Sequence, residues 1–332
     1  MNILAIESSC DETAAAVIQD GSKILSNVIA TSSAMHQKYG GIVPEVASRE
    51  QLRCILPVIQ EALTTANCTF DTIDAIGVAT GPGLIGSLLI GVEAAKTIAY
   101  VTGKPIIPVN HVLAHIYANF LEHPDKKDIV FPAIALVVSG GHTELFLMNS
   151  KKDLKWLGGT IDDAAGEAFD KAARLLGFGS QGGLAIQKNA STKSSITLPR
   201  PLMHDKTLNF SFSGLKTAIM REVTKQKELP EFNEKIIGQL AYEVQEAITD
   251  VLVKKTLQAV EMYAAQSILI GGGVASNLRL REKFSASNTL FHCPPVALCT
   301  DNAAYIGCFA YYRGDAVDWK TIEAIPDLSV EV

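Results

Sequence analysis

The sequence predicts an α/β protein built from a duplicated unit, and three observations carry that expectation. Short apolar runs of strand length alternate with longer stretches whose apolar residues recur at spacings of three and four. A strand–turn–strand unit at the N-terminus recurs in the middle of the chain, each copy holding out a polar turn. The length, 332 residues, suits about two domains.

Taken in order, residues 3–6 are apolar, 7–13 form a polar turn and 14–18 are apolar again, with Asp20-Gly21 as the next turn. Residues 46–66 place Leu52, Ile55, Leu56, Ile59 and Leu63 at helical spacing. Residues 76–79 read as a strand running into Thr80-Gly81-Pro82-Gly83, followed by a helix over 84–100. Beyond Pro105 and Pro108, residues 111–120 read as a helix with Asn110 as its N-cap. The second strand–turn–strand copy is 134–138, the turn Ser139-Gly140-Gly141-His142-Thr143-Glu144, and 145–148. Helices are expected over 164–176, where Asp162 is a candidate N-cap, and over 236–263. A strand over 267–270 enters Gly271-Gly272-Gly273, and a closing helix over 302–312 ends at Arg313-Gly314. Residues 181–193 and 225–234 read as loops or surface inserts.

Composition narrows the function. Apolar types at 48% and charged types at 19% exclude disorder. With Lys+Arg 29 against Asp+Glu 35 the net charge is −6, so nucleic acid cannot be held by bulk positive charge. Contact with it would need a local basic patch or a partner; the modest clusters Lys126-Lys127, Lys151-Lys152-Lys155, Lys254-Lys255 and Arg279-Arg281-Lys283 read as solvated faces. No uninterrupted apolar run reaches 18 residues, so no membrane span is expected. The N-terminus lacks a basic segment and reads as a first strand. The six cysteines show no CxxC spacing, which suits free thiols in a reducing compartment, the cytoplasm.

His111 and His115 stand at i and i+4 on one helical face, the spacing two ligands of one metal need; a packed or capping pair is the competing reading. Val112 and Leu113 occupy the intervening positions, so no HExxH glutamate is present and a zinc-protease mechanism is disfavoured. Asp301 is open between a third ligand and a first-turn acid. Ser139-Gly140-Gly141, Gly182-Gly183 and Gly271-Gly272-Gly273 could bring backbone N–H groups to an anion, although none is a Walker A or GxGxxG loop. Together with the two acidic hairpin turns they suggest a nucleotide cleft. Asp11, Glu12, Asp162, Asp163, Glu167 and Asp170 are acids near turns that could orient a metal or accept a proton, or merely cap and solvate.

The same stretches, in order, closely resemble a known family. They are Ile6-Glu7-Ser8-Ser9-Cys10-Asp11-Glu12-Thr13, Gly40-Gly41-Ile42-Val43-Pro44-Glu45, Thr80-Gly81-Pro82-Gly83-Leu84, and the HxxxH of His111 and His115. Further on come Val138-Ser139-Gly140-Gly141-His142-Thr143, the run from Asp162 to Lys171, Phe210-Ser211-Phe212-Ser213-Gly214-Leu215-Lys216-Thr217, Gly272-Gly273-Val274-Ala275-Ser276-Asn277 and Cys299-Thr300-Asp301-Asn302. The chain thus resembles, over nearly its whole length, the TsaD family of bacterial tRNA N6-adenosine threonylcarbamoyltransferases.

That resemblance implies an actin-like, sugar-kinase-like (ASKHA) α/β fold of two duplicated lobes around a nucleotide cleft. One lobe would span 1–108 plus the C-terminal helix, about 303–332, and the other 109–302, with the active site between them. It implies that His111, His115 and Asp301 hold one divalent metal, iron(II) first and zinc(II) as the other candidate. It implies that Val138, Ser139, Gly140, Gly141, His142, Asp170, Gly183 and Asn277 line the site for threonylcarbamoyl-adenylate. The threonylcarbamoyl group would pass to N6 of the adenosine 3′ of the anticodon, in tRNAs reading codons that begin with A. AMP would be released, and on chemical grounds, apart from the resemblance, Asp11 or Glu12 would accept the departing proton. Implied partners are tRNA, the homologous TsaB and the small ATPase TsaE. The chain departs from the family at Gly179-Ser180-Gln181-Gly182-Gly183, where relatives often show Tyr-Pro-Gly-Gly, and lacks their basic C-terminal tail. Other readings are a small-molecule kinase, which gives no reason for HxxxH, and a non-catalytic relative, which should lack the two histidines and Asp301.

Overall fold

The computed structural model describes residues 1–36, 41–179, 182–227 and 233–331. The chain divides into two compact units, Met1–Lys127 with Pro294–Val332, and Asp128–Cys293.

In the first unit, β1 (Asn2–Glu7), β2 (Glu12–Gln19) and β3 (Lys23–Thr31) form an antiparallel meander. Two further strands, β4 (Ala75–Gly81) and β5 (Ile106–Asn110), add parallel to the free edge of β1, giving the order β3-β2-β1-β4-β5. The second unit repeats this with β6 (Ala133–Val138), β7 (Thr143–Met148) and β8 (Leu154–Gly159) as the meander. Here β9 (Ser267–Gly271) and β10 (Leu290–His292) are the parallel additions, in the order β10-β9-β6-β7-β8. Strand for strand the two sheets have one topology, so the repeated turn seen in the sequence marks a true duplication. The central strands β1 and β6 are buried almost throughout and therefore read as apolar runs rather than alternating ones.

The first sheet is covered by α2 (Pro44–Thr65), α3 (Ile85–Thr102), α4 (His111–Tyr117) and α10 (Ala304–Arg313), with α1 (Ser33–His36) a single turn. Leu4, Ile6, Val17, Ile55, Ile59, Ile76, Val78 and Val92 form one core beneath α2 and α3. Helix α3 has 18 residues and a mean hydropathy of 1.3, enough in length and composition to cross a bilayer. Glu93 and Lys96, paired at 2.9 Å, interrupt its apolar run, and it buries Leu88, Val92, Ala95 and Ala99 within its own unit. The second unit carries α5 (Ala165–Leu175), α6 (Gly182–Asn189), α7 (Ser213–Lys227), α8 (Glu234–Tyr263) and α9 (Leu278–Ser285).

Several local readings change. The two compact units divide after Lys127 and Cys293, and α4, which packs on α10, lies with it in the first unit. Residues 182–189, expected as loop, are helical, and Ile186 is fully buried. Lys255 is no solvated cation: it is 0% exposed and donates to Asp205 and to the Thr207 carbonyl. Arg279 and Lys283 likewise pair with Glu246, and Lys283 with Asp250. Gly40, Ser180, Gln181 and residues 228–232 lie outside the described residues.

Candidate active site

The first unit gathers its polar side chains at the carboxyl ends of β1 and β5. Strand β5 passes into α4 through Asn110, whose Oδ1 accepts the Val112 and Leu113 N–H groups at 3.1 Å each, the N-cap the sequence predicts. The helix therefore starts at His111, and His115 follows one turn later on the same face; both are buried. Ahead of α10, whose N-cap is Ala303 without a side-chain bond, Asn302 Oδ1 accepts the Ala304 N–H at 3.0 Å. Asp301 faces the histidines, its Oδ1 at 3.7 Å from His111 Nε2 and 3.6 Å from His115 Nε2. Donor atoms of all three lie within 4.8 Å of one another. Tyr305 packs its ring 4.6 Å from that of His115.

The donor set fits a divalent transition ion. Two imidazoles and a carboxylate are ligands for zinc(II) or iron(II), and donors about 2 Å from one tetrahedral ion lie roughly 3.3 Å apart. The two separations that involve Asp301, 3.6 and 3.7 Å, are close to that figure, and the three donors together lie within 4.8 Å. Burial pushes the Asp301 carboxyl up to about 6, against the pull of His111.

Glu7, the last residue of β1, is absent from the sequence-derived candidates. Its side chain is 0% exposed, with Oε2 at 2.8 Å from His111 Nδ1 and Oε1 accepting the Ser9 N–H at 2.6 Å. Burial would raise this carboxyl, but the charge of His111 and the hydrogen bonds from His111 and Ser9 hold it below its ordinary value. The signal available in the sequence was an acid closing an otherwise apolar strand.

Asp11 and Glu12 lie where the first turn enters β2, each half-buried. Ser32 donates its N–H and hydroxyl to the Asp11 carbonyl, at 3.2 and 2.9 Å. Gln51 Nε2 reaches the Cys10 and Glu12 carbonyls at 3.1 and 2.9 Å. Burial, a hydrogen bond with Asp11, and the charges of Asp301, Asp11 and Glu7 push Glu12 up to about 9. Burial followed by the Asp301 charge also pushes the Cys10 thiol well up, which makes it a poor nucleophile.

The remaining sequence-derived residues all belong to the second unit. Val138 ends β6, and Ser139 to His142 form the turn into β7, closed by the Ser139 N–H on the His142 carbonyl at 2.9 Å. Two glycines let other elements touch this turn. A Cβ on Gly166 would meet the Ser139 carbonyl and lie 2.8 Å from Gly140 Cα; one on Gly272, at φ +91°, would lie 2.5 Å from the Val138 carbonyl. Asp170 sits one turn beyond Gly166 on α5 and accepts the Gly182 N–H at 2.8 Å, holding the start of α6. Gly183 follows with open space at its Cα. Asn277 is buried: its Oδ1 caps α9 through the Leu280 N–H at 3.0 Å, and its Nδ2 donates to Gln245 at 3.1 Å. Asp162 does not cap α5, whose N-cap is Ala164 without a side-chain bond. It accepts instead from the Phe212 and Ser213 N–H groups and both flanking hydroxyls, tying the start of α7 to the α5 loop.

A meander extended by two parallel strands, made twice, defines the actin-like, sugar-kinase-like class of α/β proteins. Component A of (R)-2-hydroxyglutaryl-CoA dehydratase from Acidaminococcus fermentans shares this fold, with a TM-score of 0.53 at 12% identity, covering 94% of this chain and 98% of that one. Full-length HypF aligns with a TM-score of 0.61 at 12% identity, over 93% of this chain and 46% of HypF. The family model for TsaD, tRNA N6-adenosine threonylcarbamoyltransferase, matches residues 23–308. The enzyme of that name from Moorella thermoacetica is 47% identical over 98% of this chain and 96% of its own length. That from Thermomicrobium roseum is 48% identical over 94% and 92%. The chain belongs to the TsaD family and is a transferase.

Proposed function

We propose that the chain modifies tRNA, transferring a threonylcarbamoyl group from threonylcarbamoyl-adenylate to N6 of the adenosine 3′ of the anticodon and releasing AMP. The observation that carries the reading is the convergence of His111 and His115, one helical turn apart, with Asp301, remote in the chain, within 4.8 Å. Held there, a divalent ion, iron(II) or zinc(II), would supply Lewis-acid polarisation of a carbonyl oxygen on the transferred group.

The chain's own residues have three tasks. The turn from Val138 to His142, with Asp170, Gly183 and Asn277, would seat the adenylate where backbone can approach it closely. The exocyclic amine is a weak nucleophile, so orientation supplies much of the rate. As the amine nitrogen bonds to the carbamoyl carbon, the bond from that carbon to the phosphate oxygen breaks and its electron pair leaves with AMP. The amine proton goes to the Asp11–Glu12 pair. Glu12, pushed up to about 9 and hydrogen-bonded to Asp11, carries its own proton at neutral pH, which leaves Asp11 as the acceptor we assign.

Partners fit the surface. Leu52 and Leu56 on α2 and Ile85 and Leu89 on α3 are exposed on helices that pack together. Such a face suits a homologous chain of the TsaB kind, with TsaE as the ATPase. The net charge of −6 supports tRNA held partly by partners. Six cysteines, none in a disulfide among the described residues, support a cytoplasmic setting.

The test mixes the protein and its partners with threonylcarbamoyl-adenylate and an unmodified tRNA transcript, then digests the tRNA for mass spectrometry. Threonylcarbamoyladenosine should form with the wild-type chain and vanish with His111→Ala, His115→Ala and Asp301→Ala. Full product from a metal-free His111→Ala protein would overturn the assignment.

A further inference from the structure

Glu7 stands apart from every residue assigned above. A carboxylate with 0% exposure at the end of an apolar strand is costly unless charge and hydrogen bonds compensate it. Both of its oxygens are committed, Oε2 to His111 Nδ1 at 2.8 Å and Oε1 to the Ser9 N–H at 2.6 Å. Its backbone is fixed in turn, since Glu7 pairs with Ala14 in the β1–β2 ladder. The sheet thus places one carboxylate oxygen against one nitrogen of one candidate ligand, and that ring's other nitrogen faces Asp301.

Resting on the reading of His111, His115 and Asp301 as ligands of one divalent ion, we infer that Glu7 is a positioning residue for that ion. An imidazole can offer a lone pair from Nε2 only when the proton sits on Nδ1. A carboxylate accepting the Nδ1–H selects that tautomer, holds the ring plane and makes Nε2 a better donor. The Ser9 hydroxyl lies 3.2 Å from the same Nδ1 and 3.5 Å from Nε2, so the turn after the strand also packs against the His111 ring. His111 is half of an i, i+4 pair on a helix whose start is already fixed by Asn110. Once its ring plane is set, both Nε2 atoms and Asp301 share one focus.

The test uses the full chain with cobalt(II) as the probe, read by chelator competition and visible absorption, with far-UV circular dichroism as the check on folding. The variants are Glu7→Ala, Glu7→Gln and His115→Ala. Glu7→Ala should weaken cobalt binding about 10- to 100-fold. Glu7→Gln keeps the volume but turns one oxygen into an NH2, so it satisfies either His111 Nδ1 or the Ser9 N–H and not both. It should weaken cobalt roughly tenfold and alter the visible ligand-field bands, with the dichroism unchanged. If Glu7→Ala does not fold, Glu7→Gln decides the matter alone. Wild-type affinity and bands in a folded Glu7→Gln protein, with binding lost in His115→Ala, would overturn the role of Glu7 and leave the metal centre standing. Equally poor binding in wild type and His115→Ala would overturn both.

Discussion

At His111 the two ring nitrogens meet different neighbours, a fully buried carboxylate 2.8 Å from Nδ1 and a largely buried one 3.7 Å from Nε2. Burial alone would lower this imidazole, yet Glu7 and then Asp301 push it up to about 9. The same density of acid reaches the next turn, where Glu12 is pushed up to about 9. A neutral carboxyl is closely imitated by an amide, so Glu12→Gln should keep most of the transfer rate. Asp11→Asn removes the acceptor itself and should lower the rate about a hundredfold or more, with little change in adenylate affinity. Single-turnover transfer to tRNA distinguishes them, and a Glu12→Gln protein as impaired as Asp11→Asn would reject the division of labour.

Among the elements, the β6–β7 turn is shaped by its neighbours more than by its own residues. Gly166 on α5 and Gly272 after β9 both come so close to it that a side chain at either position would collide with backbone. Gly166→Ala should therefore shift Ser139 and Gly140 without touching the first unit. The expected outcome is at least a tenfold loss of AMP affinity, about 1.4 kcal/mol, by titration calorimetry. Cobalt(II) affinity should stay at the wild-type value. An unchanged AMP affinity would show that this turn does not seat the nucleotide. Asp162 illustrates the converse, an acid whose local sequence suggests a cap for α5 but whose four hydrogen bonds go to the beginning of α7.

Across the whole chain, the candidate ligands come from both of the segments that make up the first unit. His111 and His115 lie in Met1–Lys127 and Asp301 in Pro294–Val332, with the entire second unit inserted between. An ion bound by both segments binds only the folded state, so it should raise the melting temperature by mass action. At a free concentration 100 times its dissociation constant the stabilisation is about 2.7 kcal/mol. Scanning calorimetry with and without cobalt(II) should show the rise in wild type and none in Asp301→Ala. A rise of equal size in that variant would place the ion elsewhere.

The α/β class, the repeated strand–turn–strand unit, the helix beginning at His111 and the cap at Asn110 were legible in the order of residues alone. Each of these depends on local periodicity or on a side chain bonding to backbone two or three residues away, and such signals survive in one dimension. The family could be read from the sequence for a similar reason, since long motifs recur in order. The resemblance already grouped Asp301 with the histidines, but the distances between them, and the service of Asp162 to α7, came from the folded molecule. It alone showed that Lys255, Arg279 and Lys283 are tied up in ion pairs, and that Glu7 belongs to the site at all. In these cases the partner lies dozens to hundreds of residues away. A carboxylate is chemically the same whether it caps a helix, solvates a surface or orients an imidazole, and what distinguishes the roles is which atom the fold brings within 3 Å.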